Sequence, residues 1–500
     1  RALLEREVLP AWLPLRRWFA GASLGGAGAH LALAVLLPAP AGELLVWAEV
    51  EAAGVRWAVP LARIGEEEGA KPAGQLALAR LRHGARVGLL TDAAATELFP
   101  RAVLAACRGG EHLATPEGEI RFLGSPALEA LDLPEAPEVR RLGSERTSSA
   151  MILGEAAVLK VLRQVVPGPH PAAEMARHLG AIGYAATPPL LGEVVRAAPD
   201  GTAHTLMLLH GFVRNQGDAW SWTLDWLARH VDEAALTEAE PEDPLGGYRP
   251  LAEAIGRRLG QLHLALGRPS DDAAFAPVPL DPAHGAAWAE ETAAELDRTL
   301  ELLARPGRLP PGPDEAAARH LIAHRAALLR ALRRLAPQDG TLHLTRLHGE
   351  FHLGQVLVAP GDAIILDFGG DPARSPAERR AKDCALRDVA GLLASLEYAA
   401  AVVVATEESG TATAAPTSRR AALISAWREA AGEAFLGAYR DAWEAEAGRL
   451  PAEAAKALDL ARIATAARQL REEMAARPAW IGVPLRTLES LAAKLLREGG

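Results

Sequence analysis

Cysteine is nearly absent from this 500-residue chain. Cys107 and Cys384 stand far apart, in no CxxC arrangement and with no metal-ligand spacing. That excludes a disulfide framework and a thiolate metal site, and leaves reduced core thiols in a reducing, cytoplasmic compartment as the expectation. Basic charge is short as well. Lys and Arg number 53 against 63 Asp and Glu, a net charge of −10 with a pI near 5.9, and no basic stripe occurs. Neither nucleic acid nor an anionic membrane surface is therefore an expected partner, because both require cations to neutralise phosphates.

The first part of the chain is also short of apolar length. An uncharged stretch, Trp18 to Gly42, follows Arg16-Arg17 in the manner of a twin-arginine export signal, but Gly21, Gly25, Gly26, Gly28, His30 and Pro38 interrupt it. Its apolar part, Leu31 to Leu37, has the length of a strand. Leu44 to Val50 and Val55 to Pro60 then predict two strands joined by a turn at Gly54. No internal repeat occurs, and the richness in alanine reads as helix propensity.

What is present is concentrated in residues 343–371, HLTRLHGEFHLGQVLVAPGDAIILDFGGD. Glu350 is followed five residues on by Gln355, and Asp367-Phe368-Gly369 comes after the apolar stretch Ala363 to Leu366. Kinases space a catalytic acid, a metal-binding amide and a second metal-binding acid in this way for phosphoryl transfer from ATP. Mg²⁺ is a hard cation that takes oxygen ligands, which these side chains supply. Glu350 is thus the predicted catalytic acid, orienting and deprotonating an acceptor hydroxyl, and Gln355 and Asp367 are the predicted metal ligands.

The upstream chain supplies the remaining parts. Glu155 to Leu162 reads as a strand carrying Lys160, and Pro171 to Leu179 as the opening of a helix carrying Glu174. An ion pair between the two would aim the ammonium at the α/β-phosphates. Gly143 to Ser149 occupies the place of a glycine-rich phosphate loop yet is poor in glycine. Hydroxyls of Ser144, Thr147 and Ser148 are the expected substitutes. Histidine is a poor Mg²⁺ ligand, so His348 and His352 are expected to hold the loop by hydrogen bonds. His263 is expected in the core, and Asp388 is expected to pin the catalytic loop or cap a helix.

The residues resemble the maltokinases, bacterial enzymes that phosphorylate maltose at the anomeric carbon and often occur fused to trehalose synthase. The resemblance runs through Trp18-Phe19-Ala20-Gly21, Gly211 to Trp220, Leu259 to Leu266, His348 to Leu357, and the block from Asp371 to Gly391. It implies an α+β, bilobal protein-kinase-like fold with an N-terminal β-rich cap subdomain and a mostly α-helical C-lobe. It also implies ATP and Mg²⁺ as cofactors, maltose as acceptor, and fusion to or association with trehalose synthase, which fits a chain beginning with arginine. On that pattern residues 1–125 are the cap, 126–213 the nucleotide lobe ending in a hinge at Leu206 to Phe212, and 214–500 the helical lobe. Helices are expected at Trp288 to Ala304 and Glu315 to Leu335, and a loop at Glu407 to Ser418. His352, Arg471, Glu473 and Trp480 are the substrate-contacting candidates.

Three departures bear on function. Glu350 stands where that family usually has aspartate, Gly369 and Asp371 replace two glutamates, and Arg468 and Glu472 occupy positions that carry tyrosines. Aromatic faces pack on sugar rings, so the last departure points away from maltose. Two alternatives follow: a kinase of another small sugar or an aminosugar such as glucosamine, and a catalytically inactive module of a trehalose synthase fusion.

Overall fold

The computed structural model describes the whole chain apart from residues 20–21, 23, 25–27, 69–71, 84–85, 135, 143–146, 236–242, 306, 310, 410–416 and 499–500. It divides into two compact units, Arg1–Arg214 and Asn215–Gly500.

The first unit is built on two antiparallel sheets. One runs in the order Ala29–Leu36, Leu45–Ala52, Leu61–Gly65, Arg86–Asp92, Ala77–His83, with Val55–Ala58 also paired to Leu45–Ala52. The apolar end of the uncharged N-terminal stretch is thus a sheet strand. At the expected turn, Ala53 and Gly54 both take positive φ, 55° and 73°, the backbone that a two-residue hairpin of matching twist demands.

The second sheet has the order His112–Thr115, Gly118–Gly124, Leu190–Ala197, Ala203–Gly211, Ala157–Leu162, Ser148–Leu153, Val139–Arg141. Its first two strands precede residue 125, so the expected boundary there falls inside one sheet. The reason is that Glu119 to Gly124 pair with Gly192 to Ala197, a partner some seventy residues downstream. An isolated hairpin of two strands would be marginal. One apolar core, including Trp47, Phe99, Phe122, Met151, Leu159 and Leu206, runs through both sheets.

The second unit is mostly helical. Arg249–Leu266 and Thr417–Ala447 approach so closely that a Cβ on Gly256 would lie 2.2 Å from the carbonyl oxygen of Phe435. Leu386–Ser409 packs on Ala219–Ala235, Thr417–Ala447 and Ala454–Ala476. Its Leu386–Ala405 stretch is long and apolar enough to cross a bilayer, with mean hydropathy 1.6, and 56% of it is buried as a core helix. The expected helix Trp288 to Ala304 is the C-terminal part of Pro282–Leu303. Glu315 to Leu335 is instead two helices, Pro313–Ala323 and Arg325–Arg333, because His324 leaves helical geometry at φ −99°, ψ 8°. The expected loop at 407–418 is helical at both ends, to Ser409 and from Thr417, and its middle lies outside the described residues. A three-stranded sheet of Val278–Pro279, His343–Thr345 and Asp383–Cys384, and a hairpin of Val356–Ala359 with Asp362–Ile365, flank the segment that carries Glu350.

Candidate active site

The segment between His343–Thr345 and the hairpin has no ladder partner, so its shape depends on side chains. Asp388, in the first turn of Leu386–Ser409, supplies most of them. Its Oδ2 accepts the backbone N–H of His348 at 2.9 Å and its Oδ1 that of Gly349 at 3.0 Å. His263 Nε2 lies 3.3 Å from Oδ2 and His263 Nδ1 lies 3.0 Å from the Tyr439 hydroxyl. All these side chains are buried. Asp388 therefore pins the loop, and His263 is a satisfied core residue. Gly349 has φ +81°, and a Cβ there would meet Gly370 Cα at 3.3 Å, so the turn before Glu350 calls for glycine.

His348 braces the loop from the other side. Its Nε2 sits 2.6 Å from the carbonyl oxygen of Leu366 and its Nδ1 3.3 Å from the backbone N of Glu350. The first contact requires a proton on Nε2 and the second a lone pair on Nδ1, which is the neutral ring. The ring also packs against Phe351 and Phe368, at 5.3 and 5.1 Å between centroids. Burial pushes the imidazole pKa down, against the opposing charge of Asp388. His352 Nδ1 accepts from Gly354 N at 3.1 Å.

These groups set a pH dependence of stability. A histidine whose folded pKa lies below its unfolded value of about 6.5 leaves the unfolded chain binding more protons, so stability is full above that value and falls as pH drops through it. Asp388 adds a second loss at lower pH. Burial works to raise its pKa, but hydrogen bonding and charge from His263 outweigh it and hold the carboxyl below its ordinary range. That stability is present above about pH 4 and lost below. The melting temperature is expected to fall between pH 7 and pH 5, with a shallower slope in His348→Gln; a flat wild-type profile over that range would refute the buried neutral ring.

Gln355 and Asp367 close the open end of the hairpin. Val356 pairs with Ile365, and Leu366 N donates to the Gln355 carbonyl at 2.8 Å, which sets the two residues diagonally across the same ladder. Asp367 adopts φ +57°, a left-handed conformation rare outside glycine and costing on the order of 1–3 kcal/mol. An amide oxygen and a carboxylate are the donor types that Mg²⁺ takes when substrate phosphates and water complete its shell. Among the described residues no group of three or more His, Cys, Asp or Glu side chains could hold an ion by itself.

Glu350 and His352 line a cavity of about 390 Å³ together with Glu295 of Pro282–Leu303, Asp371 and Arg379, and Arg468 and Arg471 of Ala454–Ala476. Arg471 pairs with Glu295 at 3.1 Å, and Arg468 with Glu472 at 2.9 Å. Of the four expected substrate contacts, His352 and Arg471 thus share the cavity with Glu350. Glu473 and Trp480 do not line it. Glu473 lies two residues beyond Arg471, about 200° round a helix of 3.6 residues per turn, and so faces Leu386–Ser409. There it is buried and accepts from the Tyr398 hydroxyl at 2.9 Å and from Arg477 at 2.5 Å. Trp480 ends the short turn Pro478–Trp480, past the end of the helix that supplies the cavity wall.

Arg379 was not expected here. Its Nη1 donates to the Gly369 carbonyl at 3.1 Å, and burial lowers its pKa against the attraction of Asp371, Asp367 and Glu350. The sequence did hold a signal. Ser375 and Glu378 form a capping box that starts the helix Pro376–Arg379, and S-x-x-E is legible without a structure.

In the first unit, Lys160 lies within Ala157–Leu162, flanked by Ala150 and Leu208 in register. Glu174 is in the first turn of Pro171–Ala181, which starts at the expected proline with His170 accepting from Ala172 N at 3.3 Å. Thr147 is exposed just before Ser148–Leu153. Ser148 is fully buried as the first residue of that strand, on the face that carries Lys160. Ser144 lies outside the described residues.

No protein-family model matches the chain. A glucosamine kinase of Streptacidiphilus jiangxiensis is 29% identical over 302 residues, 59% of this chain and 60% of that protein. A glucosamine kinase of Mycolicibacterium smegmatis is 28% identical over 306 residues, 61% of this chain and 67% of that protein. The solved structure of a glucosamine kinase in complex with glucosamine, ADP and inorganic phosphate superposes with a TM-score of 0.64 at 23% identity, covering 96% of this chain and 98% of that one. The chain has the fold of that kinase. This is the α+β architecture expected, β-rich in its N-terminal part and helical in its C-terminal part. The sequence match is shorter than the structural one, since it spans under two thirds of the Streptacidiphilus protein.

Proposed function

We propose that the chain is an ATP-dependent sugar kinase whose acceptor is a small aminosugar, with glucosamine the first to test. The observation that carries this reading is the loop pinned by Asp388 and His348, which presents Glu350 to a polar cavity beside a hairpin ending in Gln355 and Asp367. An acceptor hydroxyl would attack the γ-phosphorus as its bond to the β,γ-bridging oxygen breaks, and its proton would pass to the Glu350 carboxylate. Gln355 and Asp367 would hold Mg²⁺, which neutralises charge on the transferred group. Lys160, steadied by Glu174, and the hydroxyl of Thr147 would hold the phosphates.

Two observations favour an aminosugar over maltose. The relatives and the superposing structure are glucosamine kinases by name. In addition, the Arg468–Glu472 ion pair stands where the maltokinase pattern has tyrosines, so the ring-stacking faces that would read a glucan are replaced by charge. The reading of maltose as acceptor, and trehalose synthase as partner with it, loses its basis in those residues.

An acceptor screen following ATP consumption tests this, with phosphorus NMR to locate the new phosphate. Glucosamine is expected to exceed maltose and glucose by at least tenfold in kcat/KM, about 1.4 kcal/mol of transition-state preference. A product bearing an anomeric phosphate on maltose, formed faster than the glucosamine product, would restore the maltokinase reading.

A further inference from the structure

Arg163 follows the strand that carries Lys160. It lies three residues beyond the lysine and therefore, by the two-residue period of a strand, on the other face of the sheet. There it is almost completely buried, and every nitrogen of its guanidinium is used. Nε and Nη2 donate to the Ser149 hydroxyl at 3.0 and 2.8 Å, Nη1 to the Ala58 carbonyl at 3.1 Å, and Nη2 to Asp92 Oδ2 at 2.7 Å. Its backbone N donates to the Thr147 carbonyl at 3.0 Å, and its own carbonyl accepts from Ala58 N at 2.8 Å. Asp92 cannot swing away, because its other oxygen accepts from Ala94 N at 3.0 Å. Trp18, from the N-terminal Trp18-Phe19 pair that the proposed chemistry leaves without a role, covers the guanidinium at 4.8 Å.

One residue thus grips both ends of the short stretch Thr147 to Ser149 and ties it to two points of the other sheet, Ala58 and Asp92. A stretch poor in glycine offers an anion fewer close backbone N–H groups, so a hydroxyl such as that of Thr147 serves there only if it is held in place. We propose that Arg163 is a positioning residue for Thr147, holding Thr147 to Ser149 in place for the nucleotide phosphates with the N-terminal sheet as its anchor. This rests on the kinase reading and on the phosphate role of Thr147. Arg163 touches no substrate; it acts through Thr147 and Ser149.

Removing the guanidinium altogether would strand Asp92 in the core, so the informative variants are Ser149→Ala and Arg163→Lys. The first deletes only the side-chain tie to Ser149 and leaves the main-chain bond from Arg163 N to the Thr147 carbonyl in place. The second keeps a cation for Asp92 but cannot bond Ser149 and Ala58 together, since an ammonium lacks the planar fork. Dissociation constants of a non-hydrolysable ATP analogue and of adenosine would be measured for the full chain and both variants, with melting temperatures alongside. The ATP analogue is expected to bind at least fivefold more weakly in both variants and adenosine to change less than twofold, because only the phosphates meet the loop. Equal weakening of both ligands, or no change in either, would reduce Arg163 to a structural anchor and overturn the proposal. A wild-type chain that binds adenosine and the ATP analogue equally well would overturn the phosphate role of Thr147 itself, and one that binds neither would overturn the kinase reading.

Discussion

Asp367→Asn is expected to lower turnover by about a thousandfold or more at saturating Mg²⁺, roughly 4 kcal/mol of transition-state stabilisation, with the fold unchanged. The substitution isolates charge. Asparagine is nearly isosteric with aspartate and tolerates positive φ at least as well, so the left-handed backbone at φ +57° and the hairpin before it should survive. What changes is an anionic oxygen ligand for a neutral one, where charge spreading over the transferred phosphoryl must be neutralised. Steady-state kinetics across a Mg²⁺ titration, with circular dichroism of the same samples, would check both halves. Activity above about a tenth of wild type, under ~1.4 kcal/mol, would remove Asp367 from the metal site.

The part of this site that could be read in the sequence is the part in which chemistry fixes distance along the chain. Glu350, Gln355 and Asp367 belong to one loop and one hairpin, so their spacing reports their geometry directly. Pro171 and the Ala53-Gly54 turn were legible for the same local reason: each is a residue whose backbone preference acts on its own neighbours. Ser148 and Ser149 could not be told apart in the sequence: both are buried, Ser148 on the face that carries Lys160 and Ser149 on the face of Arg163, and nothing in a run of serines says which hydroxyl takes which side. Glu473 falls outside the cavity that Arg471 lines for the helical equivalent of this reason, a phase about 200° from Arg471. The boundary at residue 125 failed because the pairing of Gly118–Gly124 with Leu190–Ala197 is non-local, and periodicity carries no information about distant partners. The role of Arg163 was hidden likewise: its partners come from residues 58, 92, 147 and 149.

Glu350→Asp and Glu350→Gln are expected to slow the enzyme by about 100-fold and by on the order of 10²–10⁴-fold, while wild type works at an ordinary kinase rate of about 1–100 s⁻¹. The backbone at this position has no freedom to follow a shorter side chain. Asp388 holds the two N–H groups before Glu350, His348 Nδ1 accepts the N–H of Glu350 itself, and Gly349 fixes the turn at φ +81°. Losing one methylene therefore withdraws the carboxylate by about 1 Å from an acceptor placed for the longer residue, and a misplacement of that size costs about 100-fold. Glutamine keeps the length and removes the base, so its defect should lie in chemistry rather than in acceptor binding. Single-turnover phosphoryl transfer at saturating ATP, Mg²⁺ and glucosamine separates the two cases. If the loop has instead lost its function, wild type would be nearly inert and Glu350→Asp would be faster, since aspartate is the residue that the maltokinase pattern carries there. A faster aspartate variant would mark the chain as an inactive module; a slower one, with Gln355, Asp367, Lys160 and Glu174 all retained, fits a site built around glutamate.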